Sequence, residues 1–178
     1  MTIHTTHPFA SEEPDRDPAR RLRGRLGGVV TLWTAGDAQG RAGLTVSSVM
    51  VAGGEPGRVL GLLDPDSDLA EVLQRTRAAV VHLLRWEHRD LADAFAGVAP
   101  APGGPFRTGV FVADTHGPRL ESATTWARVE IESLVEVGWS LLVTATITAA
   151  EIGDEDDPLM HRRGRYRRVG GPGGPAAD

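Results

Sequence analysis

The alternation in residues 127–149 constrains this chain more than any other feature. Ala127, Val129 and Ile131 alternate with Arg128, Glu130 and Glu132, and after a turn marked by Gly138 the residues Leu141, Val143, Ala145, Ile147 and Ala149 alternate with Thr144, Thr146 and Thr148. A period of two sends one set to a core and the other outward, so the segment is a long antiparallel hairpin.

Upstream the elements are shorter. Asp17-Pro18 combines a helix N-cap with a first-turn proline and opens an arginine-rich helix that ends at Gly27-Gly28. Residues 29–34 read as a first strand, the Asp37-Ala38-Gln39-Gly40 turn follows, and residues 42–51 read as a second strand. An apolar run over 59–63 suits a buried strand. Asp68-Leu69-Ala70-Glu71 has capping-box spacing, with Ser67 as an alternative cap, and Leu69, Val72 and Leu73 give the helical period. Residues 78–84 return to strand, residues 87–96 carry Leu91, Ala94 and Phe95 on one helical face, and 97–105 is a Pro/Gly/Ala loop. Four to seven strands interrupted by two short helices predict a mainly β fold with short helices, an antiparallel barrel rather than a doubly wound parallel sheet.

With 178 residues the chain suits one domain around a single core. Residues 1–16 read as a poorly ordered leader, 17–169 as the folded unit and 170–178 as a flexible Gly/Pro tail. The absence of cysteine excludes disulfides, thiolate zinc sites and cysteine nucleophiles. No apolar run approaches the ~20 residues of a membrane span, and the first residues lack the apolar core of a signal peptide, which predicts a cytoplasmic protein without a membrane contact. A net charge of −5 argues against nucleic acid as a partner, although Arg162, Arg163, Arg165, Arg167 and Arg168 form one local basic cluster.

Motifs for the commonest chemistries are missing. GxSxG, P-loop, GxGxxG and HExxH patterns do not occur, and His82, His88, His116 and His161 lack the spacing of a helical metal pair, so no metal site is expected. The acids at 154–157 read as a solvated turn, and Trp33, Trp86, Trp126 and Trp139 as core or interface residues. Two stretches remain. Gly43-Leu44-Thr45-Val46-Ser47-Ser48 crowds three hydroxyls and a glycine amide into six residues, which can serve a phosphate-bearing ligand or be absorbed by local backbone. His161-Arg162-Arg163-Gly164-Arg165-Tyr166 joins an imidazole to guanidinium groups, a set that suits an anionic ligand or a solvated basic segment.

The order of these signals carries a resemblance. Gly28-Val29-Val30-Thr31, the Thr45-Val46-Ser47-Ser48 segment, the strand ending at Leu63-Asp64, the cap at Ser67, His88-Arg89-Asp90-Leu91-Ala92-Asp93-Ala94-Phe95-Ala96-Gly97, Gly117-Pro118-Arg119-Leu120 and the His161 to Tyr166 segment follow one another over about residues 18–168. The chain thereby resembles the flavin reductase-like family. That resemblance implies an FMN-binding, Greek-key split β-barrel, a homodimer, and NADH- or NADPH-dependent reduction of FMN or FAD, with a flavin-dependent monooxygenase as a partner. It further implies flavin contacts at Thr45, Val46, Ser47, Ser48, Val49, Asp64 and Ser67, and a nicotinamide side at His161, Gly164 and Tyr166, with His161 as the catalytic candidate.

Departures from the family pattern define an alternative. Gly138-Trp139-Ser140 replaces the usual Gly-Asp-His turn, His82 stands where asparagine is frequent, and Leu62 or Leu63 stands where cysteine is often found. The missing acid and imidazole favour a protein of the same fold that binds flavin without turnover. His82, if it faces the cavity, favours haem or another cofactor.

Overall fold

The structure, a computed structural model, describes residues 17–154 and 157–169, so the expected leader and tail lie outside the described residues. Helix α1 (Pro18–Leu26) leads into strands β1 (Gly28–Val29) and β2 (Thr31–Ala35). Strands β3 (Ala42–Val46), β4 (Val49–Ala52) and β5 (Arg58–Leu63) precede helix α2 (Asp68–Thr76), strand β6 (Ala78–Leu83) and helix α3 (Arg89–Phe95). A small ribbon of β7 (Phe111–Val112) and β8 (Arg119–Leu120) comes before the long hairpin β9 (Trp126–Val137) and β10 (Ser140–Glu151). The hairpin β11 (Leu159–Arg162) and β12 (Arg165–Arg168) closes the described chain.

Seven strands form one antiparallel sheet in the order β3-β2-β6-β9-β10-β5-β4. Strands β3 and β4 are adjacent in the chain yet occupy opposite borders, and only Ser47-Ser48 separates them. The sheet must therefore curl until its borders meet, giving the expected half-open barrel. Hydrogen bonds fasten each end of the Ser47-Ser48 corner to its own border: the Thr31 hydroxyl of β2 donates to Val46 O at 2.8 Å, and Leu62 N of β5 donates to Ser48 O at 2.9 Å.

Two expected strands are corrected here. The single strand over 42–51 is broken at Ser47-Ser48, because β3 pairs with β2 while β4 pairs with β5, and one straight strand cannot serve both. The strand over 29–34 is split at Val30. Its N–H donates to Leu159 O and its carbonyl accepts from Leu84 N, while Gly28 and Val29 pair with β11 in a separate three-stranded sheet.

The expected single core is two apolar clusters on either side of β2 and β6. Trp33, Leu63, Leu69, Leu73, Val129 and Val143 fill the barrel interior, with α2 plugging one end. Val30, Leu32, Leu84, Leu91, Phe95, Leu120 and Leu159 form the second cluster beneath α3. Strand β2 is consequently buried at every position, which explains why it shows no alternation. The Trp33 indole lies against Gly61, where a β-carbon would come within 2.9 Å of the ring, so β5 reaches the core only by lacking a side chain there.

Helix ends follow the local chemistry. Asp17 caps α1 through its carboxylate, which accepts from Ala19 N at 3.0 Å. Ser67, not Asp68, caps α2, accepting from Ala70 N at 3.2 Å.

Candidate functional site

A groove of about 950 Å³ runs along the outside of the seam, within the size range of small-molecule sites. Its floor is the outward face of β5 and β10, where Leu60, Leu62 and Leu142 lie side by side. This follows from the alternation: Leu63 and Val143 turn to the core, so their neighbours face the groove. One wall is the corner from Leu44 to Met50, including Ser47 and Ser48, and Asp64 stands at the end of β5. The opposite side combines α1 with the tip of the β11–β12 hairpin, contributing His161, Arg163 and Gly164.

The charge of this groove opposes that of the whole protein. Arg20, Arg21, Arg23, Arg25 and Arg163 line it against the single carboxylate of Asp64, although the chain carries a net −5. Such a cationic rim over an apolar floor suits a planar ligand with an anionic tail. Among the described residues the hydroxyls of Ser47 and Ser48 take part in no hydrogen bond, leaving both as donors toward the groove.

Several residues expected from the sequence are placed differently. Thr45 lines the groove, but its hydroxyl donates to Ala92 O at 2.7 Å and fastens β3 to α3. Ser67 lies outside the groove, its hydroxyl donating to Asp64 O at 2.7 Å while capping α2. Tyr166 is also outside, bonded to the Asp93 carboxylate, and burial followed by that bond pushes its phenol well above the usual range. Val46, Ser47, Ser48, Val49, Asp64, His161 and Gly164 are brought together in the groove. Asp64 accepts from Asp66 N through Oδ1 at 3.0 Å, which fixes the carboxylate at the groove end.

His161 stands at the junction of α1, β1 and the β11–β12 tip, with its ring edge-on to Tyr166 at 5.8 Å between centroids. Burial, and then the nearby charge of Arg23, hold its pKa below the ordinary histidine value, so the imidazole is neutral at pH 7. A neutral ring can donate at one nitrogen and accept at the other.

His82 and His88 are taken up by structural hydrogen bonds. His82 is fully buried on the side of β6 away from the groove; Leu120 N donates to its Nε2 at 3.0 Å, so Nδ1 carries the proton and donates to Leu32 O at 2.9 Å. Burial pushes it down to about 4. The reading of His82 as a cavity-facing ligand for haem or another cofactor is therefore corrected: both ring nitrogens are used by the backbone. His88 accepts from Arg85 N through Nδ1, so its Nε2–H points to Ser122 Oγ at 3.0 Å and cannot act as a base toward that hydroxyl.

The other features resolve simply. Trp33 is core, whereas Trp139 is 73% exposed at the β9–β10 turn, where Gly138 adopts φ +59°. At the acidic turn, Asp157 binds Arg168 through both carboxylate oxygens. Among the described residues no group of three or more His, Cys, Asp or Glu side chains could hold a metal ion, and no helix is long and apolar enough to cross a membrane.

Sequence reasoning did not assign the α1 arginines or the leucine floor to the site. The density of arginine just before Gly27-Gly28 was the available signal, but α1 has no buried residue and hence no apolar stripe to show which side faces inward.

Comparison with known proteins agrees with this architecture. The family model described as "Flavin reductase like domain" matches residues 23–170. The NADH:FMN oxidoreductase of Rhodococcus qingshengii is 29% identical over 143 residues, covering 78% of this chain and 74% of that protein. The FMN reductase (NADH) RutF of Ancylobacter novellus is 28% identical over 172 residues, covering 95% and 94% respectively. Among solved structures, the styrene monooxygenase flavin reductase of Pseudomonas putida S12 shares the fold with a TM-score of 0.74 at 23% identity, over 86% of this chain and 97% of that one.

Proposed function

This chain belongs to the flavin reductase-like family, and from that premise we propose that it catalyses reduction of a flavin, FMN or FAD, by NADH or NADPH. The observation that carries the proposal is the groove itself, in which two uncommitted hydroxyls and a guanidinium rim border a leucine floor. These residues fit a flavin chemically: the apolar floor suits one face of the ring, and the donors suit its ribityl and phosphate groups. The relatives named above act with NADH on FMN, which supports the same pairing here.

Flavin bound in the groove supplies the hydride acceptor for the nicotinamide. The chain's own part is to bind and orient. Ser47 and Ser48, with the backbone of Val46 and Val49, hold the tail and ring edge, while the Asp64 carboxylate accepts from a hydroxyl at the groove end. The arginines of α1 neutralise phosphate charge. Gly164 leaves room beside His161, whose neutral imidazole orients the nicotinamide side; Thr45, Ser67 and Tyr166 support the wall from behind.

The chain also acts as a homodimer. Supporting this, Leu62, Leu142 and Val135 form a cross-strand apolar row that continues to Val137, with Leu62 40% and both valines 50% exposed. A second copy would cover that face and the mouth of the groove. The likeness to the reductase of a styrene monooxygenase supports a flavin-dependent monooxygenase as the consumer of the reduced flavin. We place the activity in the cytoplasm, where the nicotinamide nucleotide pool is maintained.

Titration with FMN and FAD by fluorescence, followed by NADH and NADPH oxidation and by light scattering, tests these points. Flavin binding with nucleotide oxidation and twice the 18.9 kDa chain mass is expected. Bound flavin without nucleotide oxidation would instead support the non-catalytic reading that the Gly138-Trp139-Ser140 turn favours, and absence of flavin binding would overturn the groove assignment.

A further inference from the structure

Beside the groove lies a smaller basin of about 480 Å³ that the flavin assignment does not use. Leu26, Gly27, Gly28, His161 and Arg163 border both spaces, so the α1–β1 junction is the saddle between them. Met160, Arg162 and Arg167 belong to the basin alone.

Alternation along β12 produces this arrangement. Tyr166 and Arg168 turn to one side and are held by Asp93 and Asp157, whereas Arg167 turns to the other, opposite Met160 in the ladder. Arg162 is oriented by its own bond, Nε donating to Arg25 O at 3.2 Å, and Arg163 N donates to Gly24 O at 2.8 Å. Arg162, Arg163 and Arg167 thus line the basin with no acidic side chain among the lining residues, while Leu26 and Met160 supply apolar surface. A bare phosphate would use only the cations. The combination suits a planar base joined to a pyrophosphate.

We propose that this basin binds the ADP half of a dinucleotide whose other half reaches the groove across the Gly27-Gly28 saddle. This rests on the reading of the groove as the flavin and nicotinamide site. The same chemistry occurs in NADH and in FAD, and the two are separable by experiment. Arg167 is the residue to test, because it lines the basin and not the groove.

Calorimetric titration of the wild-type protein with ADP, AMP and inorganic phosphate is expected to rank them in that order, with Arg167→Gln weakening ADP about three- to tenfold and Arg167→Glu more. FMN affinity should be unchanged in both variants. A rise in KM for NADH without a change in kcat assigns the ADP half to NADH; a loss of FAD affinity with FMN affinity intact assigns it to FAD, and either supports the proposal. ADP binding, KM for NADH and the FAD-to-FMN affinity ratio all unaltered in both variants would overturn it. Should FMN fail to bind while ADP binds in an Arg167-dependent way, the flavin reading falls and the basin assignment stands.

Discussion

Gly28 lies so close to Ser47 that a β-carbon on it would sit 2.6 Å from the Ser47 carbonyl oxygen. Strand β1 thereby sets the position of the corner joining the two sheet borders. Gly28→Ala must push that corner outward, with an expected cost of about 1–3 kcal/mol and a measurable loss of FMN affinity. Thermal unfolding and FMN fluorescence quenching check this together; a variant unaltered in both would show that the contact does not position the site.

Removing either corner hydroxyl tests the groove more directly. A hydrogen bond to a charged oxygen contributes roughly 1.5–3 kcal/mol, so Ser47→Ala and Ser48→Ala should each weaken FMN about ten- to a hundredfold with the fold intact. Thr45→Val is the contrast, since the Thr45 hydroxyl is taken by Ala92 O. It should lower stability by about 1 kcal/mol and leave FMN affinity within a factor of two.

His161→Ala should raise KM or lower kcat for NADH severalfold while changing stability by less than about 0.5 kcal/mol, as expected for a side chain outside the core. The wild-type ring gains its proton only on the acid side of the ordinary histidine range, where it adds another positive charge to an arginine-lined groove. Any acid limb of the pH–activity profile caused by this ring should vanish in the variant. Wild-type kcat/KM at every pH would remove His161 from the site.

His82 predicts a pH dependence of stability rather than of activity. Its native pKa is pushed down from 6.5 to about 4, so between these values the unfolded chain binds the proton that the native chain refuses. The stability contributed is fully present above pH 6.5 and is lost as pH falls toward 4, a loss of about 3 kcal/mol. His82→Asn, which keeps a donor and an acceptor but does not titrate, should flatten the thermal midpoint over that window. An unchanged slope would show that another group governs acid sensitivity.

The long hairpin was legible in the sequence because one face of β9 and β10 is covered while the other meets solvent, and alternation records that asymmetry. Strand β2 records nothing of the kind, since α3 and Leu159, distant in sequence, bury its second face. The Ser47-Ser48 break was hidden for another reason: Val46 and Val49 are both strand formers, and only the sheet order requires the chain to turn between them. At the groove, hydroxyl chemistry points to a segment that lines it but cannot separate Ser47 and Ser48 from Thr45, whose partner Ala92 is 47 residues away. Tyr166 was assigned by its motif, and its use by Asp93 depends on how the β11–β12 hairpin meets α3.

The position of β9 and β10 in the middle of the sheet bears on how the molecule assembles. Strands β3, β2 and β6 form one ribbon, and β4 and β5 another; the last third of the folded chain lies between β6 and β5. As the chain leaves the ribosome these ribbons are joined through Ser47-Ser48 and through α2, but not by any ladder, each with an apolar side uncovered. Neither can complete its ladder until residues 126–151 have been synthesised and inserted. Truncation between Leu83 and Trp126 therefore removes more than a terminal segment: it leaves two halves of a barrel with the keystone missing.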